Sequence, residues 1–109
     1  MAIKIQLEEL IIPVTIGELK FEVDTSDTSI KTLRKKAFQM EAKIKEIEKI
    51  AETSEEEAEK EVELYLQDSF DALLGEGAFE KIYKQTPALK SLAKYFIKLI
   101  EGLEKEINN

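Results

Sequence analysis

Cysteine, histidine and tryptophan are absent from this 109-residue sequence, and proline and glycine are scarce at 2 and 4 residues. The missing cysteines exclude disulfides and thiolate nucleophiles, and the missing histidines remove the usual proton carrier near neutral pH. With both gone, the common zinc sites cannot be built. No apolar run approaches the roughly 20 residues needed to cross a bilayer, since the longest uncharged one spans only residues 10–16. Lys4, Glu8 and Glu9 break up the first ten residues, so no signal-peptide core is present there. These absences predict a cytoplasmic chain with no membrane partner, no cofactor and no enzymatic activity.

Charge, in contrast, is plentiful. Acidic groups outnumber basic ones 23 to 16, for a net charge of −7, which disfavours general binding to nucleic acid. The expected partner is therefore another protein. Residues 1–54 hold 9 basic and 10 acidic groups, whereas residues 55–109 hold 7 and 13. Within the first half, residues 30–50 are net positive, and a glutamate-rich segment from Glu52 to Glu63 follows directly. The length fits a single domain, residues 1–109, that hides roughly 60–70% of its unfolded surface.

Apolar and polar residues alternate on both sides of Gly17-Glu18, which predicts a β-hairpin closed by a type II′ loop. Its register would pair Ile16 with Leu19, Val14 with Phe21 and Ile12 with Val23 on one face. Pro13 would sit at an edge or bulge, and Ile3, Ile5 and Leu7 suggest a weaker third strand. A hairpin alone is marginal in water, so helices are expected to cover it.

The polar stretch at residues 24–29 offers N-caps for a first long helix. Ile30, Leu33, Ala37, Met40, Ile44, Ile47 and Ala51 then recur at alternating spacings of three and four, the seam of a helix packed on another helix, within this chain or in a coiled coil. Ser54 and Glu57 have capping-box spacing and open a second helix with Ala58, Val62, Leu66, Ser69, Phe70 and Leu73 along its apolar stripe. Gly75 is expected to end it in the left-handed conformation. The two helices form an antiparallel hairpin that places Lys45 and Lys49 near the glutamates at 55–61. Ala78, Phe79, Ile82 and Tyr83 predict a short third helix, and Thr86-Pro87 would open the last one. In that last helix Leu89, Leu92, Phe96, Leu99, Ile100 and Leu103 belong to a stripe too wide for one contact, so it is either central to the core or shared with a partner. Gly102 weakens the helix near its end. The fold class is mainly α (α+β): a β-hairpin region at 1–24, then a helical region at 29–109 comprising a helical hairpin, a short helix and a long C-terminal helix.

No constellation supports catalysis. Gly75-Glu76-Gly77 lacks the lysine of a phosphate loop and carries a negative charge instead. The glutamates at 52–63 do not match a calcium loop and read as a solvated helix start. Asp68 and Asp71 stand at i and i+3, a common spacing without function. Lys31, Arg34, Lys35 and Lys36 form a basic spot that allows a small nucleic-acid-binding regulator as one alternative.

Residues 66–83 resemble the tail assembly chaperones of long-tailed bacteriophages and prophages. In that family a helix ends in a Phe, Leu, Phe-or-Leu, Gly, Glu, Gly pattern, followed by a short amphipathic turn and a final apolar helix. Phe70, Leu73, Leu74, Gly75, Glu76, Gly77, Glu80, Lys81 and Ile82 match it, while Ala78, Phe79 and Tyr83 depart from it conservatively. The resemblance implies a chaperone that binds the tape-measure protein, keeps it soluble while tail-tube subunits polymerise, and is absent from the finished virion. It further implies a bacterial host cytoplasm, contact with the major tail protein, and in many members a longer frameshifted product. Phe96, Leu99, Ile100 and Leu103 are the expected partner-binding residues, with self-association along the same face. A structural or adaptor subunit of a phage tail or another assembly is the other alternative.

Overall fold

A computed structural model describes residues 1–108. The alternating segment forms the hairpin, with β1 (Ile11–Ile16) and β2 (Leu19–Asp24) paired antiparallel in the register expected from the sequence. Gly17 has φ +60° and Glu18 is not left-handed, as a type II′ turn requires. A two-residue loop makes Ile16 and Leu19 a hydrogen-bonded pair, and alternation then leaves Pro13, opposite Glu22, at a non-hydrogen-bonded position. Its nitrogen faces the outer edge, where a missing donor costs the hairpin nothing.

The third strand does not form. Residues 1–10 carry no regular structure and are exposed throughout. Reversing the chain to pair with β1 would require a turn within Glu8-Glu9-Leu10, and none of these residues favours the positive φ of a tight hairpin.

Helix α1 (Asp27–Thr53) follows an Asx-type turn in which the Ser26 amide donates to Asp24 Oδ1 at 2.8 Å. Ser54 alone separates it from α2 (Glu55–Leu74), and the Ser54 hydroxyl accepts the Glu57 amide at 3.2 Å. This is the serine half of a capping box, and it starts α2 where the sequence predicts. Ion pairs Lys36–Asp68 and Lys43–Glu61 lie two turns apart on both helices and fix an antiparallel register. The expected use of Lys45 is not found: it pairs with Glu41 on its own helix at 3.4 Å. Lys43, two residues earlier, reaches across to Glu61 because it lies beside the seam and is half-buried.

The segment that carries the family-like pattern is a helix–turn–helix corner. Gly75 caps α2 with φ +103° and ψ +156°, a region open almost only to glycine, and not the left-handed conformation expected for it. The left-handed residue is Gly77, at φ +87° and ψ −2°, which precedes α3 (Ala78–Gln85). Gly77 has no side chain to cap α3, and Asp71 supplies the missing acceptor: its Oδ1 takes the Phe79 amide at 2.9 Å. Phe70, Leu73, Leu74, Ala78, Phe79 and Ile82 bury the corner from below.

Helix α4 (Leu89–Ile107) begins two residues later than Thr86-Pro87 suggests. Thr86 closes α3 instead, with its amide on the Ile82 carbonyl, and its hydroxyl lies 3.3 Å from Tyr95 Oη. Helix α2 is the hub, touching α1, α3, α4 and β2. The core joins Val23, Leu33, the α2–α3 corner and the α4 stripe. The radius of gyration, 16.4 Å, exceeds the roughly 13 Å of a compact chain of about this size. The extents of 71 × 28 × 20 Å show that the molecule is elongated.

Two substitutions test the corner. Asp71→Ala should lower unfolding stability in urea by about 0.5–2 kcal/mol through loss of the α3 cap. Gly75→Ala should lower it by about 1–2 kcal/mol although a Cβ there meets nothing within 4 Å, because the cost is backbone strain.

Candidate partner-binding groove

The four residues expected to meet a partner lie in the chain's own core. Phe96, Leu99, Ile100 and Leu103 are 1%, 8%, 3% and 2% exposed. Phe96 sits edge-on to Phe70 with ring centroids 5.3 Å apart, and edge-on to Tyr65 at 6.1 Å. Phe96 and Ile100, enclosed in this way, have no surface to offer while the fold is intact, and Leu99 and Leu103 show only an edge, to a hollow beside β1. The reason is geometric: α4 has α2 and α3 against it, with the core face of the hairpin close by, so most of its wide stripe is used internally.

The α1 seam is less completely covered. Leu33 is buried, but Ala37, Met40 and Ile47 are only half-buried, and Ile44 is 41% exposed. Helix α1 packs on α2, whereas α4 runs alongside its distal turns without closing on them. Between those turns and α4 lies an apolar groove of about 180 Å³. Met40, Ile44 and Ile47 line it from α1, Val62 and Tyr65 from α2, and Ala93 and Ile97 from α4. Ile97 is 37% exposed and is the part of the α4 stripe that remains open. Val62 and Ala93 also line a second hollow of about 660 Å³ that continues towards Ala51, Tyr83 and Leu89. Glu48 stands at the first hollow, and Glu55, Glu59 and Lys90 at the second, so the rim is net acidic. The sequence holds the signal for this groove in the α1 seam, whose covering could not be read without knowing how closely α4 packs on it.

The other singled-out groups have structural roles or stand apart. Asp68 pairs with Lys36 and Asp71 caps α3, so the two carboxylates do not act together. The pairing takes Lys36 from the basic spot and leaves Lys31, Arg34 and Lys35 exposed. Among the described residues, no group of three or more acidic side chains is placed to hold a metal ion. No described helix is long and apolar enough to cross a membrane. Of the family-like residues, Phe70, Leu73, Leu74 and Ile82 are core, whereas Glu76, Glu80 and Lys81 are exposed.

Beside the groove, beneath Tyr65, lies a polar irregularity. Tyr65 Oη and Ser69 Oγ are buried without hydrogen-bond partners among the described residues. Burial pushes the Tyr65 phenol above its ordinary 10.0, and the Asp68 charge adds to this. Ser69, one turn along α2, pulls it back down, though the two hydroxyls do not meet hydrogen-bond geometry. Because ionising the phenol costs more in the folded chain than in the unfolded one, stability is unaffected by this titration well below pH 10.0 and falls as pH rises past it. Tyr65→Phe should therefore flatten the fall of the thermal midpoint above pH 10.0. At neutral pH the same variant should leave stability unchanged or raise it by up to about 1 kcal/mol, since an unsatisfied hydroxyl is removed.

No curated protein and no solved structure matches the chain. A family model described as a family of unknown function, DUF6673, matches residues 17–109, from the hairpin turn through all four helices. The chain belongs to this DUF6673 family.

Proposed function

We propose that this protein is a tail assembly chaperone that receives an amphipathic helix of a tape-measure protein in the groove between α1, α2 and α4. The observation that carries the reading is the open seam of Met40, Ile44 and Ile47 facing Ile97 across a gap lined by apolar side chains. A groove of this kind suits a helix presenting apolar residues at i, i+3, i+4 and i+7. The resemblance over residues 66–83 supplies the identity of the client. The partner surface is moved from Phe96, Leu99, Ile100 and Leu103 to the neighbours they leave uncovered. A net charge of −7 keeps the chaperone soluble when its client is greasy. The acidic rim further favours a client helix with lysine or arginine beside its apolar stripe.

Binding of this type needs no nucleotide, cofactor or reactive group. A bacterial cytoplasm and absence from the finished virion follow from the same role, and a permanent tail subunit would instead be recovered in purified particles. Co-expression with the tape-measure protein from the same phage or prophage should keep that protein soluble and yield a complex. Ile44→Asp and Ile97→Asp should each weaken the complex by at least tenfold, about 1.4 kcal/mol, while leaving the circular dichroism spectrum unchanged. A client that stays insoluble, or a complex indifferent to both substitutions, would refute the reading.

A further inference from the structure

The N-terminal arm is unusually apolar for an exposed segment. Ile3, Ile5 and Leu7 are 90%, 82% and 89% exposed and alternate with Lys4, Gln6 and Glu8. In an extended chain this alternation puts the three apolar side chains on one side. A row of that kind marks an interaction site on a folded protein.

A second groove, separate from the client groove, lies between β1 and α4, with a volume of about 550 Å³. Ile12, Val14 and Ile16 form one wall, and Leu99 and Leu103 line it from α4. Gly102 also lines it, and a Cβ at that position would meet nothing within 4 Å, so the missing side chain widens the channel. The groove borders β1 in a sheet of only two strands. On the outer edge of β1, Pro13 removes one donor and leaves the outward amides and carbonyls of Ile11 and Thr15 for a guest.

We propose that residues 3–8 of one copy of this chain dock in extended form in the β1–α4 groove of a second copy, running antiparallel to α4. The dimensions agree. From Tyr95 to Glu106 the helix rises about 16 Å, and from Ile3 to Leu7 an extended chain covers about 13 Å. The charges agree as well. Lys98 and Glu106 stand on the groove about 12 Å apart along the helix, and Lys4 and Glu8 are about 13 Å apart along an extended arm. With the apolar row facing the floor, Lys4 and Glu8 project from the other side of the arm towards the rim, where antiparallel docking sets Lys4 level with the exposed Glu106 and Glu8 level with the exposed Lys98. None of the four takes part in an ion pair among the described residues.

The arm cannot readily take this place in its own chain. The Leu10 carbonyl accepts both the amide and the hydroxyl of Thr25, at 2.7 and 2.8 Å, which fixes where the arm leaves the fold. From that anchor the chain would have to reverse within Glu8-Glu9, which lacks turn residues. A neighbouring copy imposes no such reversal.

The experiment is sedimentation equilibrium of the full chain over micromolar to near-millimolar concentration. The wild type should self-associate. Ile5→Asp, on the exposed arm, should weaken association by at least tenfold with an unchanged thermal midpoint, and Gly102→Phe should do the same by filling the groove. Lys4→Glu and Glu106→Lys should each weaken association, and the two together should restore it. A wild type that is monomeric throughout, or association unaffected by Ile5→Asp, would overturn the proposal. So would a monomer whose arm amides are protected from hydrogen exchange, since the arm would then occupy its own groove.

Discussion

The packing of Phe96 between Phe70 and Tyr65 is the contact on which the rest of the fold depends, because it ties α4 to α2, the helix that every other layer also touches. Removing a buried phenylalanine ring costs about 3–5 kcal/mol, a large part of the roughly 5–15 kcal/mol that holds a domain together. With α4 bound to α2, its stripe is consumed by the core except at two margins. Ile97 is left on the side towards α1, and the flanks of Leu99 and Leu103 on the side towards β1. Both open grooves follow from that one placement.

The corner at residues 71–79 serves the same end. Two helices joined by Gly75-Glu76-Gly77 can cross only if the backbone adopts positive φ twice and the start of α3 finds an acceptor, which Asp71 provides. The residues that resemble a phage chaperone motif are therefore the ones that build a turn. A likeness there speaks first to the shape of the fold, and the proposed client binding is argued from the groove further along the hairpin.

Much of the fold could be read from the sequence. The hairpin register followed from period-two alternation around Gly17-Glu18, and the start of α2 from Ser54 and Glu57, because both signals are local. Burial along the long helices was harder to read. The spacing of three and four in α1 is the same whether the seam is covered or open, and the difference depends on how closely α4 packs against α1. Phe96, Leu99, Ile100 and Leu103 read from sequence as either core or partner surface, because a wide stripe does not show that α2 and α3 already cover it. The alternation of Ile3, Ile5 and Leu7 was a true signal of extended character, but its pairing depends on a turn that Glu8-Glu9 does not supply. Asp71 carried no sequence signal beyond its place four residues before Gly75.

The division between a sealed α4 and an open distal α1 can be measured directly by native-state amide hydrogen exchange on the free protein. The expected result is that amides from Leu92 to Leu103 exchange only through global unfolding, while those from Met40 to Ile50 exchange by local opening at lower free energy. Equal or faster exchange in α4 than in distal α1 would contradict it, and would return the last helix to the role of an interface.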